Sequence, residues 1–182
     1  MLLGKEYNRI AQASYSGDAL LVTDYAMDGI FQGFEYLIQK NFTIAASGTL
    51  NILVDYTTYT GLNKRVIIKP ATYTTTYGPV LVSITRGTDY SGGTPIPAYN
   101  LNTIIGGISK TTFTHGATGT EKGTVTQEFI IGYGSTNQSS GGGTGTTDVL
   151  IIRGNTGKTL IEIMNNSGNE ITFNFLQELF EI

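Results

Sequence analysis

The residues best spaced to do chemistry form one short run, Arg153-Gly154-Asn155-Thr156-Gly157-Lys158-Thr159, just after the apolar stretch Val149 to Ile152. A phosphate-binding loop of the G-x-x-x-x-G-K-[ST] type cradles nucleotide phosphates with backbone N–H groups and its lysine. The last three positions match, but Ile152 stands where the first glycine belongs, and only 24 residues follow Lys158. That leaves too little chain for the remaining parallel strands and the Asp-bearing strand that holds magnesium. The expected structure is a strand–turn–strand hairpin with Asn155 and Gly157 in the turn.

Other candidates are sparser. From Asp24 through Asp28-Gly29 to Glu35, acids fall at the first, fifth and twelfth positions of a calcium loop, with glycine at the sixth. The third position is Ala26, which cannot ligate, so an ordinary turn at Asp28-Gly29 is expected. His115, the only histidine, sits where Thr112-Phe113-Thr114 gives way to Gly116, and no serine lies in a Gly-x-Ser-x-Gly elbow to serve as its nucleophile. It reads as a solvated residue at a strand end. The carboxylates Asp55, Asp89, Glu128, Asp148, Glu162, Glu170 and Glu178 are scattered over predicted polar strand faces and turns, a poor arrangement for a glycosidase pair. Three glycosylation-type sequons begin at Asn41, Asn137 and Asn165, as chance supplies in a chain rich in Asn, Ser and Thr. There is no cysteine, which excludes disulfides, thiolate metal sites and thiol nucleophiles. No cofactor and no metal is expected.

The elements that would position these groups repeat with period two. Leu50 to Tyr56 alternates apolar and polar, as a strand with one buried face does. Arg65 to Lys69, Val80 to Thr85, Ile108 to Thr114, Val125 to Ile131, Val149 to Ile152, Lys158 to Met164 and Glu170 to Gln177 are further strand candidates. Turn-formers separate them: Tyr90-Ser91-Gly92-Gly93, Gly116 to Gly123, and Asn165 to Asn169. Short strands at even spacing predict an all-β, antiparallel β-sandwich of jelly-roll-like form over residues 41–182. Residues 1–40 are less regular, with a weak helical patch at Ala19 to Met27, and are expected to form an N-terminal arm. Gly134 to Thr147 carries no charge and no large apolar residue and should be an excursion between strands.

Composition narrows the function. The 182 residues are 40% hydrophobic and only 14% charged, with 24 glycines, 11 tyrosines and a net charge of −3. An average domain carries roughly 25% charged residues. An acidic chain offers no electrostatic footprint for nucleic acid or an anionic membrane. No stretch approaches the roughly 18 consecutive apolar residues of a membrane span, and the first residues do not read as a signal peptide. The inventory points away from catalysis and toward contact. Tyr56, Tyr59, Tyr73 and Tyr77 cluster with threonine; such rings suit protein or sugar interfaces, while β-propensity alone also favours them on a strand surface. With Tyr7, Tyr15, Tyr25, Phe31 and Phe34 of the arm region, they are the candidate interface residues.

The order of these pieces resembles a known group. Tyr90-Ser91-Gly92-Gly93-Thr94-Pro95-Ile96-Pro97-Ala98-Tyr99-Asn100-Leu101-Asn102, then Thr111 to Thr114, a Gly-rich loop, the strand Val149 to Arg153, Asn155 to Ile163, Asn165 to Gly168 and a closing apolar strand are similar to small virion proteins of tailed bacteriophages, often encoded beside the major capsid protein. Upstream, Gly29 to Phe34 and Leu50 to Tyr56 fall where that group has its first elements, so the resemblance covers roughly residues 28–182. It implies a jelly-roll-like head decoration, or cement, protein without enzymatic activity, located in the virion and assembled in the host cytoplasm. The implied partners are the major capsid protein or other virion proteins and further copies of itself, for instance as a trimer, with no nucleic acid and no membrane. The competing expectation is a host-surface or carbohydrate-binding module of a tail or fibre, using the Tyr-rich strands and the Gly134 to Thr147 loop. A small hydrolase using His115 is the third.

Overall fold

A computed structural model of the chain describes residues 33–58, 65–69, 71–104, 107–132, 150–153 and 157–181. Among them there is no helix, and every strand pairing is antiparallel. In chain order the strands are β1 (Glu35–Ile44), β2 (Thr49–Asp55), β3 (Arg65–Ile68), β4 (Thr72–Thr75), β5 (Val80–Arg86), β6 (Thr94–Ile96), β7 (Ala98–Asn100), β8 (Thr112–His115), β9 (Thr124–Ile131), β10 (Leu150–Arg153), β11 (Lys158–Asn165) and β12 (Ile171–Glu181). They form two six-stranded sheets. One runs β10-β3-β12-β1-β7 with β4 also beside β12, and the other β6-β8-β2-β11-β5-β9. The sandwich predicted from strand periodicity is the fold.

Strand β12 is the spine of the first sheet because its sequence alternates cleanly. Ile171, Phe173, Phe175 and Leu179 are fully buried, while Thr172, Asn174, Leu176 and Glu178 face the other way. Its whole length pairs with β1, from Ile44 opposite Ile171 to Glu35 opposite Phe180. The expected boundary between arm and sandwich at 40/41 thus falls inside β1. The strand was hidden because Lys40 interrupts its inward set of Tyr36, Ile38, Phe42 and Ile44, and pairing with β12 overrides that break in the pattern. The helical patch at Ala19 to Met27 lies outside the described residues.

On its other edge, β12 pairs with β4 and then with β3. The ladder breaks at residues 69–71, where Pro70 has no N–H to offer. Gln177 fills the gap. Its buried amide donates to the carbonyls of Lys69 and Glu178, and the Lys69 N–H donates to the Glu178 carbonyl.

The chain changes sheets at Pro97. Strand β6 pairs with β8 in the second sheet, and β7, beginning one residue later, pairs with β1 in the first. Between the sheets, Tyr73 stacks at a tilt on Phe129, Phe173 and Phe175, with ring centroids 5.7–5.9 Å apart, and Phe113 meets Phe175 from β8. A smaller cluster lies on the outward face of the second sheet, where Leu53 and Leu160 are capped by Tyr90 and Ala117. The Gly116 to Gly123 turn reaches them because Gly123 adopts φ +91°; a Cβ there would sit 2.1 Å from the Arg86 carbonyl oxygen.

Two local expectations are corrected. Lys158 to Met164 does not form a hairpin with Val149 to Ile152: β10 pairs with β3, whereas β11 pairs with β2 and β5 in the opposite sheet. The two strands therefore belong to different sheets. The Ile108 to Thr114 strand shrinks to Thr112–His115, because Ser109 to Thr111 are bound to a carboxylate, that of Glu181, instead of to a neighbouring strand.

Gln177→Leu keeps the side-chain volume but leaves the Lys69 carbonyl without that donor. It should lower the unfolding free energy by about 1–3 kcal/mol, the usual cost of an orphaned buried polar group, read as a lower urea midpoint at unchanged slope. A midpoint equal to that of the parent protein would show that the ladder gap is closed by something else.

Candidate interaction surface

Several of the ionisable groups that suggested chemistry are held by partners within the sandwich. Lys158, the would-be phosphate-loop lysine, enters strand β11 instead of a helix. Its Nζ donates to the Tyr90 carbonyl at 3.0 Å and lies 3.6 Å from Asp55 Oδ2. The other Asp55 oxygen accepts from the Thr57 N–H and hydroxyl at 2.9 and 2.6 Å. Glu162 is buried against Lys122. Asp89 accepts from the backbone N–H groups of Thr120 and Glu121 and from the Thr120 hydroxyl. The Thr120 hydroxyl and those N–H groups hold its carboxyl below the usual range. Glu128 and Glu170 are exposed, and Asp148 lies outside the described residues.

Glu178 belongs to a triad that the sequence did not announce. Lys69 Nζ bonds Glu35 and, at 2.8 Å, Glu178, and it stands 4.5 Å from the centroid of the Phe180 ring. Glu35 is buried, and its second oxygen has no hydrogen-bond partner. Burial pushes its carboxyl above the ordinary value despite Lys69. Burial also pulls the Lys69 ammonium down, but the hydrogen bonds to Glu178 and Glu35 outweigh it and hold it above its ordinary value. Glu35 is also the twelfth residue of the calcium-like spacing; the rest of that spacing lies outside the described residues. No group of three or more His, Asp or Glu among the described residues is placed to hold a metal ion, and none of the described elements is a helix long and apolar enough to cross a membrane.

His115 is a packed residue instead of a solvated one. It closes β8 between the sheets, with its ring 5.2 Å from that of Phe42 and its Nε2 2.9 Å from Lys40 Nζ. Lys40 donates, so Nε2 carries no proton and Nδ1 does. Burial and the Lys40 charge both lower the His115 pKa. Among the described residues no hydroxyl or carboxylate hydrogen-bonds the ring to complete a nucleophilic arrangement.

Of the tyrosines proposed for contact, Tyr56 and Tyr73 are core residues, 3% and 1% exposed. Tyr56 bonds the Thr159 hydroxyl, and burial pushes the Tyr73 hydroxyl well up. β-Propensity and burial explain both, which removes them from any surface site. Phe34 and Tyr77 are exposed, at opposite ends of the sandwich. Tyr7, Tyr15, Tyr25, Phe31 and Tyr59 lie outside the described residues. Asn165 is no acceptor for glycosylation: it is buried, and its amide donates to the carbonyls of Ile44, Ala45 and Asn169.

The surface that stands out was not anticipated. After β7 the chain makes two successive Asx turns, with the Asn100 side chain accepting from the Asn102 N–H and the Asn102 side chain from the Ile104 N–H. The Asn100 amide also donates to the Gly33 carbonyl at 2.8 Å. The returning limb is clamped by Glu181, whose buried carboxylate accepts from the Ser109 hydroxyl and the N–H groups of Lys110 and Thr111 at 2.6–3.1 Å. On this fixed base Ile104 and Ile108 are each 93% exposed, flanked by Tyr99 at 57% and Phe34 at 45%. The sequence signal was an apolar Ile104-Ile105-Gly106-Gly107-Ile108 stretch between two asparagines and a serine, too short and too Gly-rich for a strand.

The opposite end carries a cleft of about 160 Å³ lined by Tyr77, Pro79 and the Asn166 to Asn169 turn. β9, the outer strand of its sheet among the described residues, exposes Val125 and Ile130, but an irregularity opposite Ile84/Thr85 and the charge of Glu128 disfavour pairing with another strand. The described structure thus defines an antiparallel sandwich that exposes the apolar side chains of Ile104 and Ile108 at one end. The sequence matches no known family model and no curated protein.

Because the His115 pKa is lowered on folding, the unfolded chain binds the proton more tightly. The associated stability is present above the unfolded value near 6.5 and is lost as pH falls below it. His115→Gln keeps an acceptor for Lys40 without the titration. Urea midpoints should drop between pH 7.5 and pH 5.5 more steeply for the parent than for this variant, and equal drops would reject the assignment. Asp89 works in a more acid range, and Glu35 has the opposite sign, so neither mimics the effect.

Proposed function

We propose that this chain is a non-enzymatic structural protein of a bacteriophage virion, a head decoration protein that stabilises the shell by bridging neighbouring capsid subunits and acts as a homo-oligomer. The observation that supports it most is the pairing of exposed apolar side chains, Ile104 and Ile108, with ionisable groups held within the sandwich. Lys158, Asp55, Glu162, Asp89, Glu35 and Glu181 all hold the sandwich itself together. Apolar area removed from water on contact supplies the affinity of such an interface. A protein that binds the assembled shell and not the free subunits adds its binding energy to the shell alone. A jelly-roll-like path for the strands and a location in the virion belong to this proposal.

In this reading residues 1–32, which lead into β1, are the anchor to the capsid. A chain beginning at Gly33 retains all twelve strands and should keep the parent's β-type circular dichroism while binding capsids at least tenfold more weakly in co-sedimentation. Unchanged binding would reject the anchor, and a parent protein that does not sediment with capsids would reject the decoration role.

The carbohydrate-binding alternative is supported by one feature, the exposed Tyr77 ring beside Pro79 and the Asn166 to Asn169 turn. Glycan-array binding that Tyr77→Ala abolishes, together with a position on the tail, would favour it over decoration.

A further inference from the structure

We propose that the outer face of the first sheet binds a neutral polysaccharide chain across strands β1, β12 and β4. The proposal concerns the purified chain alone and does not rest on the capsid reading. It uses a surface other than the cleft beside Tyr77.

Strand pairing builds this face. Side chains that point away from the core line up in rows across the three strands. One row is Gln39–Leu176–Thr72, the next is Asn41–Asn174–Thr74, and a third holds three threonines. Rows are roughly 6.5–7 Å apart, and neighbours within a row about 4.8 Å. Both ladders keep an unbroken register, so the lattice is continuous. Gln39, Asn41 and Thr72 are exposed, and Asn174, Thr74 and Leu176 are half-buried. On the β7 side the exposed Tyr99 is opposite Leu37 on the same face. Leu176 is the diagonal neighbour of Leu37, so an apolar strip runs from the ring into the polar rows.

The chemistry of the rows selects the partner. None of their side chains is ionisable, and the nearest charges on the face, Lys69 and Glu178, are paired with each other at 2.8 Å. Nucleic acids and phospholipids need cations against their phosphates, and the rows supply none. They also lack the aromatic rings, methionine and arginine that mark the centre of protein interfaces. Elsewhere the polar side chains are bound into the fold, as those of Asn51, Asn165 and Gln177 are. Here Gln39, Asn41, Thr72 and Thr74 make no side-chain hydrogen bond to another described residue, and the Asn174 amide oxygen has no partner.

Amides and hydroxyls both donate and accept, as every sugar hydroxyl does, and an uncharged polyol matches a face without charge. The C–H surface of a sugar ring can cover the strip of Tyr99, Leu37 and Leu176. A repeating lattice suits an extended polymer, whereas a single small ligand needs a concave pocket. The outer face of the second sheet is not equivalent, because Tyr90 and Ala117 cap Leu53 and Leu160 there.

The test is native electrophoresis of the full chain through gels cast with dextran, mixed-linkage β-glucan or galactomannan, and with alginate and heparin as anionic contrasts. At least one neutral polysaccharide should retard the parent, and neither anionic one should. Gln39→Ala/Asn41→Ala removes two exposed side chains that hold nothing in the fold, and Tyr99→Ala removes the ring. Each should weaken binding about tenfold, as two lost hydrogen bonds of ordinary strength would, with circular dichroism and melting temperature unchanged. Val125→Thr, on the outer strand of the other sheet, should migrate as the parent does. A parent that no neutral polysaccharide retards, equal retardation by alginate or heparin, or face variants that bind like the parent would each overturn the proposal. So would loss of retardation in Tyr77→Ala, which would place the sugar in the cleft. Loss of capsid co-sedimentation in place of retardation would also overturn it, making the face a protein interface.

Discussion

The rest of the structure depends on the register of β12 against β1. Ten consecutive pairs lock the two strands, and the side-chain alternation of β12 decides which residues enter the core. A slip by one residue would turn Phe173, Phe175 and Leu179 outward and bring Asn174 and Glu178 inside, so burial itself specifies the pairing. Three separate features inherit that choice. Gln177 is opposite the break between β3 and β4, Glu181 reaches Ser109 to Thr111, and the turn before Ile171 shapes the cleft.

Charge in this protein is used for construction. With few ionisable residues to spend, the chain places most of its buried carboxylates beside a lysine or a set of N–H groups. A buried charge without such partners costs several kcal/mol. The Glu35–Lys69–Glu178 triad shows the tension: the lysine is shared by two carboxylates, one of which keeps an oxygen without a partner. Its position at the start of β1, with Lys69 in the break between β3 and β4, fixes the geometry where the strand ladder itself is interrupted. Lys158 illustrates the same economy, since the lysine that looked like a phosphate ligand secures the Tyr90 loop over Leu53 and Leu160.

The sandwich was legible because long strands of period two, such as Leu50 to Tyr56 and Lys158 to Met164, lie between obvious turns. What remained hidden had a physical cause in each case. β1 carries Lys40 on its inward face, and β6 and β7 are three residues each around Pro97, too short to show alternation. The β10–β11 connection looked like a hairpin because a short link between two apolar runs does not say which sheet each run joins. The contact residues were less legible still. Tyrosine is amphipathic, so Tyr56 and Tyr73 in the core and Tyr77 at the surface look alike in sequence. The exposure of Ile104 and Ile108 was overlooked because isoleucine is ordinarily counted as core, and the groups that anchor their flanks include the carboxylate of Glu181, about seventy residues downstream.

That separation has a bearing on how the molecule is made. During synthesis Ser109 to Thr111 emerge well before the carboxylate that binds them, so that clamp forms only when β12 has docked. Until then Ser109, Lys110 and Thr111 lack the carboxylate that binds them in the finished fold.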